Sequence, residues 1–400
     1  KHSNLTYNFK NFNSFLHIFS FCVKICVNFI NSYMYSFLTT QSKFSTTLNN
    51  TVLLTFEASK QCNVFCPNCY IPEEKRLKDK NLFDIEWLDK LKNSQNLKNA
   101  ESFRITLYGG ELSILDKDYI ENFISRIKSI FPTCSFTIVT NLYNLKPSFV
   151  ELYHKYSDIL ETTFDFARVT MNKNRDVFLD KYKEGFEKIA NSSLQSNLQM
   201  DIAFRVNQET VDFGIDNIIS YFSSFNLPKN SRVNLLLEHA IDFQHFRSQG
   251  QYDLLSGYPI MKTEISYDTF GKFVYDLKKN EKKLNDIGFY PIQTMDFNSG
   301  IGGFILSFAS TGDVTVNPLF TDIPSAFIGN IGTQELDEML NNTKFKLLKN
   351  YEKKRIYKCA GCDSFDNCMG GPLFLPKDDP FGTQECAGIK SYIQLINAIN

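Results

Sequence analysis

Short apolar runs alternate with amphipathic stretches along the chain from about residue 51. Six runs show the alternating or continuous apolar pattern that is typical of β-strands. They read TVLLTFEAS from Thr51, SFRITLYGG from Ser102, SFTIVTN from Ser135, DILETTFD from Asp158, LQMDIAFRVN from Leu198 and RVNLLLEH from Arg232. Regular β–α alternation predicts a parallel sheet. Because six units are too few to close an eight-stranded barrel, we expect an α/β fold with an open, partial (β/α)6 barrel of the TIM type.

Helical patterns fill the segments between these runs. The stretch IEWLDKLKN follows Asp84, a residue type that caps helix N-termini, and YIENFISRIKSIF is amphipathic. Two further helical stretches run from Asp176 to Ala190 and from Val211 to Phe225. In a barrel of this kind the loops that follow the strands meet at one edge, so we expect functional side chains there.

The pattern changes after about residue 265. In GGFILSFASTGDVTVNPLF two short strand-like runs are joined through STGD, which predicts a β-hairpin. The stretch CAGCDSFDNCMGG from Cys359 is rich in turn residues and predicts a small module built of loops. We therefore divide the chain into a segment of unclear role (1–50), a barrel core (51–265), a connecting region with the hairpin (266–345) and a small C-terminal module (346–400).

Composition and charge argue against several classes of protein. The chain has 400 residues and a formal net charge of -1 without a block of like charges, so no nucleic-acid partner is expected. The apolar stretch FLHIFSFCVKICVNFI from Phe15 is interrupted by polar residues and is shorter than the roughly 20 residues of a membrane span, so no membrane segment is expected. Ten cysteines in a chain of this size indicate metal ligation rather than a disulfide scaffold, and we expect a reduced, cytoplasmic protein.

Three cysteines follow the first predicted strand in the pattern Cys62-x3-Cys66-x2-Cys69. Soft thiolates of this kind select zinc, copper or iron–sulfur. Structural zinc is one interpretation, although zinc takes four ligands, commonly from separated CxxC pairs. A [4Fe–4S] cluster held by three cysteines leaves one iron without a protein ligand, and chemistry could occur there.

A second set of cysteines, Cys359-x2-Cys362-x5-Cys368-x17-Cys386, supplies four thiols. Four thiolates complete the ligand set of a zinc ion or of a [4Fe–4S] cluster, and the spacing alone leaves both open. Among the remaining cysteines, Cys134 begins an apolar strand and is interpreted as a small hydrophobic residue.

The CxxxCxxC loop after the first strand resembles the signature of the radical S-adenosylmethionine superfamily, and the likeness extends over roughly residues 50 to 270. The resemblance implies that the amino and carboxylate groups of S-adenosylmethionine chelate the iron left open by Cys62, Cys66 and Cys69. The family usually has an aromatic residue just before the last cysteine, near the adenine. This chain has Asn68 there and its aromatic residue at Tyr70, so Asn68 is expected to contact the adenine only through its backbone.

The second predicted strand ends in Gly109, Gly110 and Glu111. Glycines let a backbone approach a ligand closely and a carboxylate pairs with an ammonium group, although such glycines are equally typical of a simple turn. After a CxxxCxxC loop, this triplet resembles the family's motif for the methionine amino group. The resemblance also implies contacts to the cofactor's ribose and carboxylate from residues that follow later strands: Thr140, Asn141, Thr163, Asp165 and Arg175.

The C-terminal cysteines resemble the SPASM extension of radical S-adenosylmethionine enzymes. A full SPASM domain holds two auxiliary clusters, but two cysteine positions of the inner cluster are occupied here by Asn317 and Pro372. In sulfatase-maturing members an aspartate base follows the first of these positions, where this chain has Pro318. The resemblance therefore implies a single auxiliary [4Fe–4S] cluster, with the ligands Cys359, Cys362, Cys368 and Cys386.

The resemblance implies a radical S-adenosylmethionine enzyme whose 5′-deoxyadenosyl radical modifies a ribosomally made precursor peptide, and the expected product is a side-chain cross-link of the cyclophane type. Sulfatase maturation and peptide epimerisation are the alternative activities. A zinc-stabilised peptide-binding module without activity is the alternative from another class. The expected partners are a small precursor peptide with a leader and an electron donor such as flavodoxin or ferredoxin. No catalytic side chain is assigned from the sequence.

Overall fold

The computed structural model of the protein describes residues 51–67, 69–194, 198–225, 231–237, 239–241, 261–263, 265–287, 291–292 and 305–349. Several of the sequence predictions lie outside these residues: the N-terminal segment 1–50, the cofactor contact of Asn68, and the C-terminal module with Cys359, Cys362, Cys368 and Cys386. These therefore stay predictions.

The described strands are β1 (Thr51–Glu57), β2 (Val64–Phe65), β3 (Ser102–Tyr108), β4 (Ser135–Thr140), β5 (Ile159–Phe164), β6 (Val169–Thr170), β7 (Gln199–Val206), β8 (Arg232–Leu237), β9 (His239–Ile241), β10 (Met261–Thr263), β11 (Pro291–Ile292), β12 (Ile305–Phe308), β13 (Asp313–Thr315) and β14 (Gly329–Asn330). The α-helices are α1 (Glu73–Lys78), α2 (Asp89–Asn93), α3 (Gln95–Lys98), α4 (Lys117–Ile130), α5 (Pro147–Tyr156), α6 (Arg175–Ala190), α7 (Gln208–Phe213), α8 (Ile215–Ser223), α9 (Tyr267–Lys279), α10 (Glu281–Asp286) and α11 (Leu336–Asn341). Short 3-10 helices span Ile85–Leu88, Leu112–Ile114, Pro318–Phe320 and Pro324–Ala326.

The six strands predicted from the sequence stand side by side in one sheet, in the order β8-β7-β5-β4-β3-β1. Every neighbouring pair among them is parallel. Helices follow β3, β4, β5 and β7, as the β–α alternation requires. The predicted α/β fold with a partial, TIM-like parallel barrel is thereby confirmed.

The predicted hairpin is also present, but its position was not foreseen. Strands β12 and β13 are antiparallel, and Gly312 in their turn has a φ of 84°, which favours glycine. Strand β12 also pairs in parallel with β1 and so extends the barrel sheet. Phe308 of β12 stacks on Phe56 of β1 with ring centroids 4.9 Å apart, and this apolar contact holds the hairpin to the core.

The predicted helices form with two local differences. The side chain of Asp84 caps the segment as expected, accepting a hydrogen bond from Glu86 N at 3.0 Å, but the first turn is a 3-10 helix. The stretch expected as one helix from Val211 to Phe225 is divided into α7 and α8. Gly214 lies between them with a φ of 79°, a conformation that cannot continue an α-helix.

Aromatic side chains fill much of the space between the sheet and its helices. Phe164 of β5 stacks on Phe204 of β7 at 5.8 Å and meets Phe222 of α8 edge to face at 5.4 Å. All three side chains are fully buried, so the outer face of these strands is fixed by packing and the opposite face is left to line the barrel interior. Among the described residues, no helix has the length and apolar character needed to cross a bilayer.

Candidate active site

The predicted cluster-binding cysteines lie in the loop between β1 and α1. A short antiparallel pairing of β2 with β6 holds this loop, with Val64 opposite Thr170. The backbone N–H of Cys62 donates to the carbonyl of Arg76 at 3.0 Å, and the N–H of Cys69 donates to the carbonyl of Cys66 at 3.2 Å. The first of these bonds ties the start of the loop to α1, and the second forms a turn within the loop.

A cavity of about 300 Å³ opens at this edge of the sheet, and the side chains of Cys62, Cys66 and Cys69 all line it. Its other walls come from strand ends and from the turn after β13. Among the predicted cofactor contacts, those that line this cavity are Gly109, Gly110, Thr140, Asn141, Thr163 and Asp165. The loop chosen for cluster binding and most of the residues chosen for cofactor binding thus meet at one place.

The chemistry of the thiols fits a metal centre. Burial raises the pKa of Cys62 far above its ordinary value, and burial raises the pKa of Cys66 to about 11 despite the nearby Arg168. Metal ligation requires thiolates, so a bound metal must supply positive charge for these sulfurs. In the described part of the chain, no three His, Cys, Asp or Glu side chains are grouped closely enough to hold a single metal ion. Three thiols around one cavity are a donor set that suits an iron–sulfur cluster.

Gly109 and Gly110 bring the end of β3 into direct contact with the cysteine loop. The N–H of Gly110 donates to the carbonyl of Ser59 at 2.8 Å, and the N–H of Glu111 donates to the carbonyl of Gln61 at 2.8 Å. A Cβ on Gly109 would stand 2.5 Å from the Ser59 oxygen, and a Cβ on Gly110 would meet the Gln61 carbonyl even more closely. Glycine is required here because two backbones touch.

Glu111 is predicted to bind the cofactor's ammonium group, but its carboxylate oxygens accept hydrogen bonds from the protein itself. Its Oε1 accepts hydrogen bonds from the N–H of Ser113 and the hydroxyl of Thr140, both at 2.9 Å, and its Oε2 accepts one from the N–H of Asn141 at 2.6 Å. Its side chain is 2% exposed, and it does not line the cavity. Burial raises its pKa against the opposing effect of these hydrogen bonds. The carboxylate joins the ends of β3 and β4.

Asn141 connects this strand end to the cluster loop. Its amide nitrogen donates to Asn63 Oδ1 at 2.9 Å and approaches the sulfur of Cys62 at 3.7 Å. The amide nitrogen of Asn63 donates in turn to the carbonyl of Tyr143 at 3.2 Å. An N–H group directed at a ligand sulfur is a means by which proteins tune iron–sulfur centres.

The opposite wall of the cavity comes from β5, β7 and the loop after β5. Glu161, Thr163 and Asp165 alternate along the chain and all line the cavity. Asp165 accepts a hydrogen bond from Arg168 Nε at 2.9 Å, and both side chains are buried. Arg205 adds a second guanidinium group to this wall.

Arg175 does not lie where the sequence predicted. It is the first residue of α6, its side chain is exposed, and it does not line the cavity. The arginines that do line it include Arg168 and Arg205, which the sequence interpretation missed. The alternation of inward-facing positions along β5 and β7 could have indicated Glu161 and Arg205, whereas no local pattern distinguishes Arg168 from Arg175.

A buried charge network ties the cysteine loop to the turn after β13. Lys60, 2% exposed, donates to Asp322 Oδ1 at 3.1 Å and to the carbonyl of Thr321 at 3.2 Å. Lys60 also stands 3.8 Å from Glu57, which accepts a hydrogen bond from the Thr321 hydroxyl at 2.7 Å. Lys75 of α1 pairs with Asp322 as well. This network holds the turn against the cavity.

The same turn carries the positions at which the resemblance expects a cysteine and an aspartate. Asn317 caps the 3-10 helix, its Oδ1 accepting from Leu319 N at 2.8 Å, and Pro318 and Leu319 line the cavity. These two lining residues are apolar, so the turn contributes an apolar patch here and not a carboxylate.

Comparison with known proteins gives one family-model match and several similar folds. A family model described as a 4Fe-4S single cluster domain matches residues 52–176, and no curated protein matches the chain. The structure of native anSMEcpe with bound S-adenosylmethionine has a TM-score of 0.61 and 16% identity, covering 88% of this chain and 99% of that chain. The structure of Streptococcus suis SuiB bound to precursor peptide SuiA has a TM-score of 0.53 and 16% identity, covering 85% and 78%.

This chain shares the fold of both structures. The resemblance drawn from the CxxxCxxC loop is thereby confirmed, and the matched range 52–176 extends from β1 across the cysteine loop to the start of α6. Within this fold, the cavity at the carboxyl edge of the sheet is the place where functional loops meet.

Proposed function

We propose that the protein is a radical S-adenosylmethionine enzyme that modifies a ribosomally made peptide. The observation that carries the proposal is the shared cavity: the thiols of Cys62, Cys66 and Cys69 line it together with Gly109 and Gly110. The match to a 4Fe-4S family model over this part of the chain supports the same assignment. The zinc-module alternative accounts for the thiols but not for the polar residues that surround them.

The three cysteines would hold one [4Fe–4S] cluster, and S-adenosylmethionine would complete it. When bound, the two together supply a 5′-deoxyadenosyl radical that removes a hydrogen atom from an unactivated C–H bond. The protein's own part is to position the cluster and the cofactor and to enclose them in the cavity. Gly109 and Gly110 allow the strand end to support the loop, and Asn141 directs its amide toward Cys62.

The remaining lining residues fit the polar and apolar parts of the cofactor. The guanidinium groups of Arg168 and Arg205 supply positive charge for a carboxylate. Thr163 offers a hydroxyl for the ribose. Val64, Ile71 and Leu319 present apolar surface that excludes water from a reactive intermediate.

Support for a peptide substrate comes from the similar folds. SuiB was solved with its precursor peptide SuiA, and a further structure of anSMEcpe, with a TM-score of 0.59 and 15% identity, contains a bound peptide. We extend this to a small precursor peptide with a leader. A flavodoxin or ferredoxin would provide the reducing electron.

For the product, we propose a side-chain cross-link of the cyclophane type. Abstraction at a side-chain Cβ leaves a carbon radical, which adds to a neighbouring aromatic ring. The adduct then loses one electron and one proton, and the predicted auxiliary cluster at Cys359, Cys362, Cys368 and Cys386 would accept the electron. Pro318 at the cavity leaves that position without the aspartate base of sulfatase-maturing members.

Cofactor cleavage tests the enzyme assignment. Anaerobically reconstituted protein with dithionite and S-adenosylmethionine should form 5′-deoxyadenosine and methionine. Cys66→Ala should abolish this, and Cys134→Ala should retain it because Cys134 does not line the cavity. Colourless protein with tightly bound zinc and no cleavage would instead establish the binding-module alternative.

Product mass tests the cross-link. A precursor peptide encoded near this gene should become lighter by two hydrogens, about 2 Da per link, with one 5′-deoxyadenosine per event in this cofactor chemistry. A product of unchanged mass with one α-hydrogen exchanged from solvent would show epimerisation. Conversion of a sulfatase Cys or Ser to formylglycine would show sulfatase maturation.

A further inference from the structure

Glu161 is a carboxylate that lines the cavity from β5. It lies on β5 between Leu160, which is fully buried in the core, and Thr162, which is also buried. Strand alternation therefore directs Glu161 to the inner face, where it lines the cavity with Thr163. Its side chain is half-buried.

The carboxylate of Glu161 makes no hydrogen bond or ion pair with any residue that the structure describes. The other buried carboxylates around the cysteine loop are occupied: Glu111 accepts three hydrogen bonds, Asp165 holds Arg168, and Glu57 accepts from Ser310 and Thr321. A half-buried carboxylate without a hydrogen-bond donor has lost water, and the charge of Arg205 compensates for this loss only in part. Such a group is typical of a position that a ligand completes.

The register of the sheet sets the depth of Glu161. It stands beside Val139 of β4 and beside Asp201 of β7. Asn141, which contacts Cys62, comes two residues after Val139, about 6–7 Å further toward the carboxyl edge. Glu161 therefore lies deeper in the barrel than the level at which the protein meets the cluster loop.

The surroundings of Glu161 favour a cation over a neutral hydrogen-bond donor. Its register neighbour Asp201 is a second carboxylate, 5% exposed. Burial and then Asp201 raise the pKa of Glu161, and Arg205 lowers it. Asp201 accepts a hydrogen bond from Gln199 Nε2 at 2.7 Å and does not line the cavity, so Glu161 is the acid of this pair that faces a ligand. A positively charged group beside Glu161 would offset the repulsion between the two carboxylates.

We propose that Glu161 is a specificity-determining residue that anchors a lysine or arginine side chain of the peptide substrate at the floor of the cavity. The assignment of the cation to a peptide rests on the proposed function. S-adenosylmethionine also carries an ammonium group. The experiment therefore distinguishes a cation of the peptide from the ammonium group of the cofactor.

The test measures binding without turnover. The reconstituted full-length protein, with S-adenosylmethionine bound and no reductant, is titrated with n-butylguanidinium as an arginine mimic and with n-butylurea as its neutral counterpart. We expect saturable binding of the guanidinium and weaker binding of the urea. Glu161→Gln should weaken guanidinium binding about tenfold or more, the range of a charge-assisted hydrogen bond. Glu161→Asp, which keeps the charge, should recover part of the affinity.

The matched control is Glu151→Gln, which makes the same chemical change on the exposed face of α5 and should bind the guanidinium like the wild type. Equal affinity in wild type and Glu161→Gln, or no saturable binding to the wild type, would overturn the proposal. A tenfold loss of S-adenosylmethionine affinity in Glu161→Gln would also overturn it, because the acceptor would then belong to the cofactor. Failure of the proposed function appears separately, as absence of 5′-deoxyadenosine from the wild type with reductant.

Discussion

Glu111 follows β3 at the carboxyl edge of the sheet and Glu161 lies deeper, within β5, and the protein uses these two acidic residues differently. Glu111 accepts three hydrogen bonds and joins the ends of β3 and β4. Glu161 accepts none from the described residues and lines the cavity. The difference extends to their surroundings. The ends of β1, β3 and β4 and the cysteine loop contact one another, and we call them the supporting wall. Strands β5 and β7 present acids and guanidinium groups to the cavity, and we call them the ligand wall.

A polar residue in a motif need not face the cavity. The GGE triplet lies at the active edge, but its glycines seat the cysteine loop and its carboxylate fixes the neighbouring strand. Glu161 lies outside any motif, and its carboxylate faces the cavity and accepts no hydrogen bond from the residues that the structure describes. Variants that weaken the supporting wall should therefore cost stability and iron together, whereas variants of the ligand wall should cost binding alone.

The largest effect is expected for Gly110→Ala. The added Cβ would meet the carbonyl of Gln61 and come within 2.6 Å of that of Lys60, and neither backbone can move away without unseating the cysteine loop. We expect a loss of at least about 3 kcal/mol, the upper part of the range for overpacking, and loss of cluster from the three-cysteine site. Urea unfolding and iron analysis measure the two effects.

Gly214→Ala is the control for Gly110→Ala. A Cβ at Gly214 meets no atom within 4 Å, but its φ of 79° is unfavourable for alanine. It should cost about 1–3 kcal/mol through backbone strain and leave the iron content unchanged. Loss of iron in both variants would show that instability alone removes the cluster, and the supporting wall would have no special role.

A smaller loss is expected for Glu111→Gln. The amide nitrogen of glutamine cannot accept a hydrogen bond, so at least one of the donors from Ser113, Thr140 and Asn141 loses its acceptor. The expected cost is about 1–3 kcal/mol in the free energy of unfolding. An unchanged urea midpoint, together with a large loss of S-adenosylmethionine affinity, would contradict the assignment of Glu111 to the supporting wall and would place it on the ligand wall.

The smallest effect, and one of opposite sign, is expected for Glu161→Gln. The folded pKa of Glu161 is raised above its ordinary value of 4.5, chiefly by burial, so the wild type loses stability as the pH rises from 4.5 through the folded pKa. Glutamine does not titrate. In the absence of ligand, the variant should therefore be at least as stable as the wild type at pH 8, with an advantage that shrinks toward pH 4.5.

Paired urea titrations at several pH values measure this difference. A variant clearly less stable than the wild type at pH 8 would mean that the carboxylate of Glu161 supports the fold. Its place on the ligand wall would then be lost.

The local sequence pattern was sufficient to predict the barrel and the cysteine loop. The six strands, the hairpin and the gathering of Cys62, Cys66 and Cys69 beside Gly109 all follow from alternation, turn residues and the rule that parallel strands end at one edge. The pairing of β12 with β1 was beyond such reasoning because it joins segments about 250 residues apart in sequence, as in the contact between Phe56 and Phe308.

The details of the site depend on contacts that no single segment specifies. Glu111 has the composition of a ligand-binding acid, and only the approach of β4 shows that its acceptors are occupied. Arg168 and Arg175 lie in the same stretch after β5, and the pairing of β6 with β2 is what sets the chain path between them. Arg168 is buried beside Asp165 and Arg175 is exposed, a distinction that arises from packing.

The proposed function requires that the three-cysteine loop hold a [4Fe–4S] cluster with one iron open to S-adenosylmethionine. The most direct measurement is the electron paramagnetic resonance spectrum of the reduced, reconstituted protein before and after S-adenosylmethionine is added, because a new ligand on the open iron changes the cluster's spectrum. We expect a shifted signal in the wild type and in Cys134→Ala, and no shift in Cys66→Ala. A wild-type spectrum that S-adenosylmethionine leaves unchanged, or a shift that persists in Cys66→Ala, would contradict the proposed function.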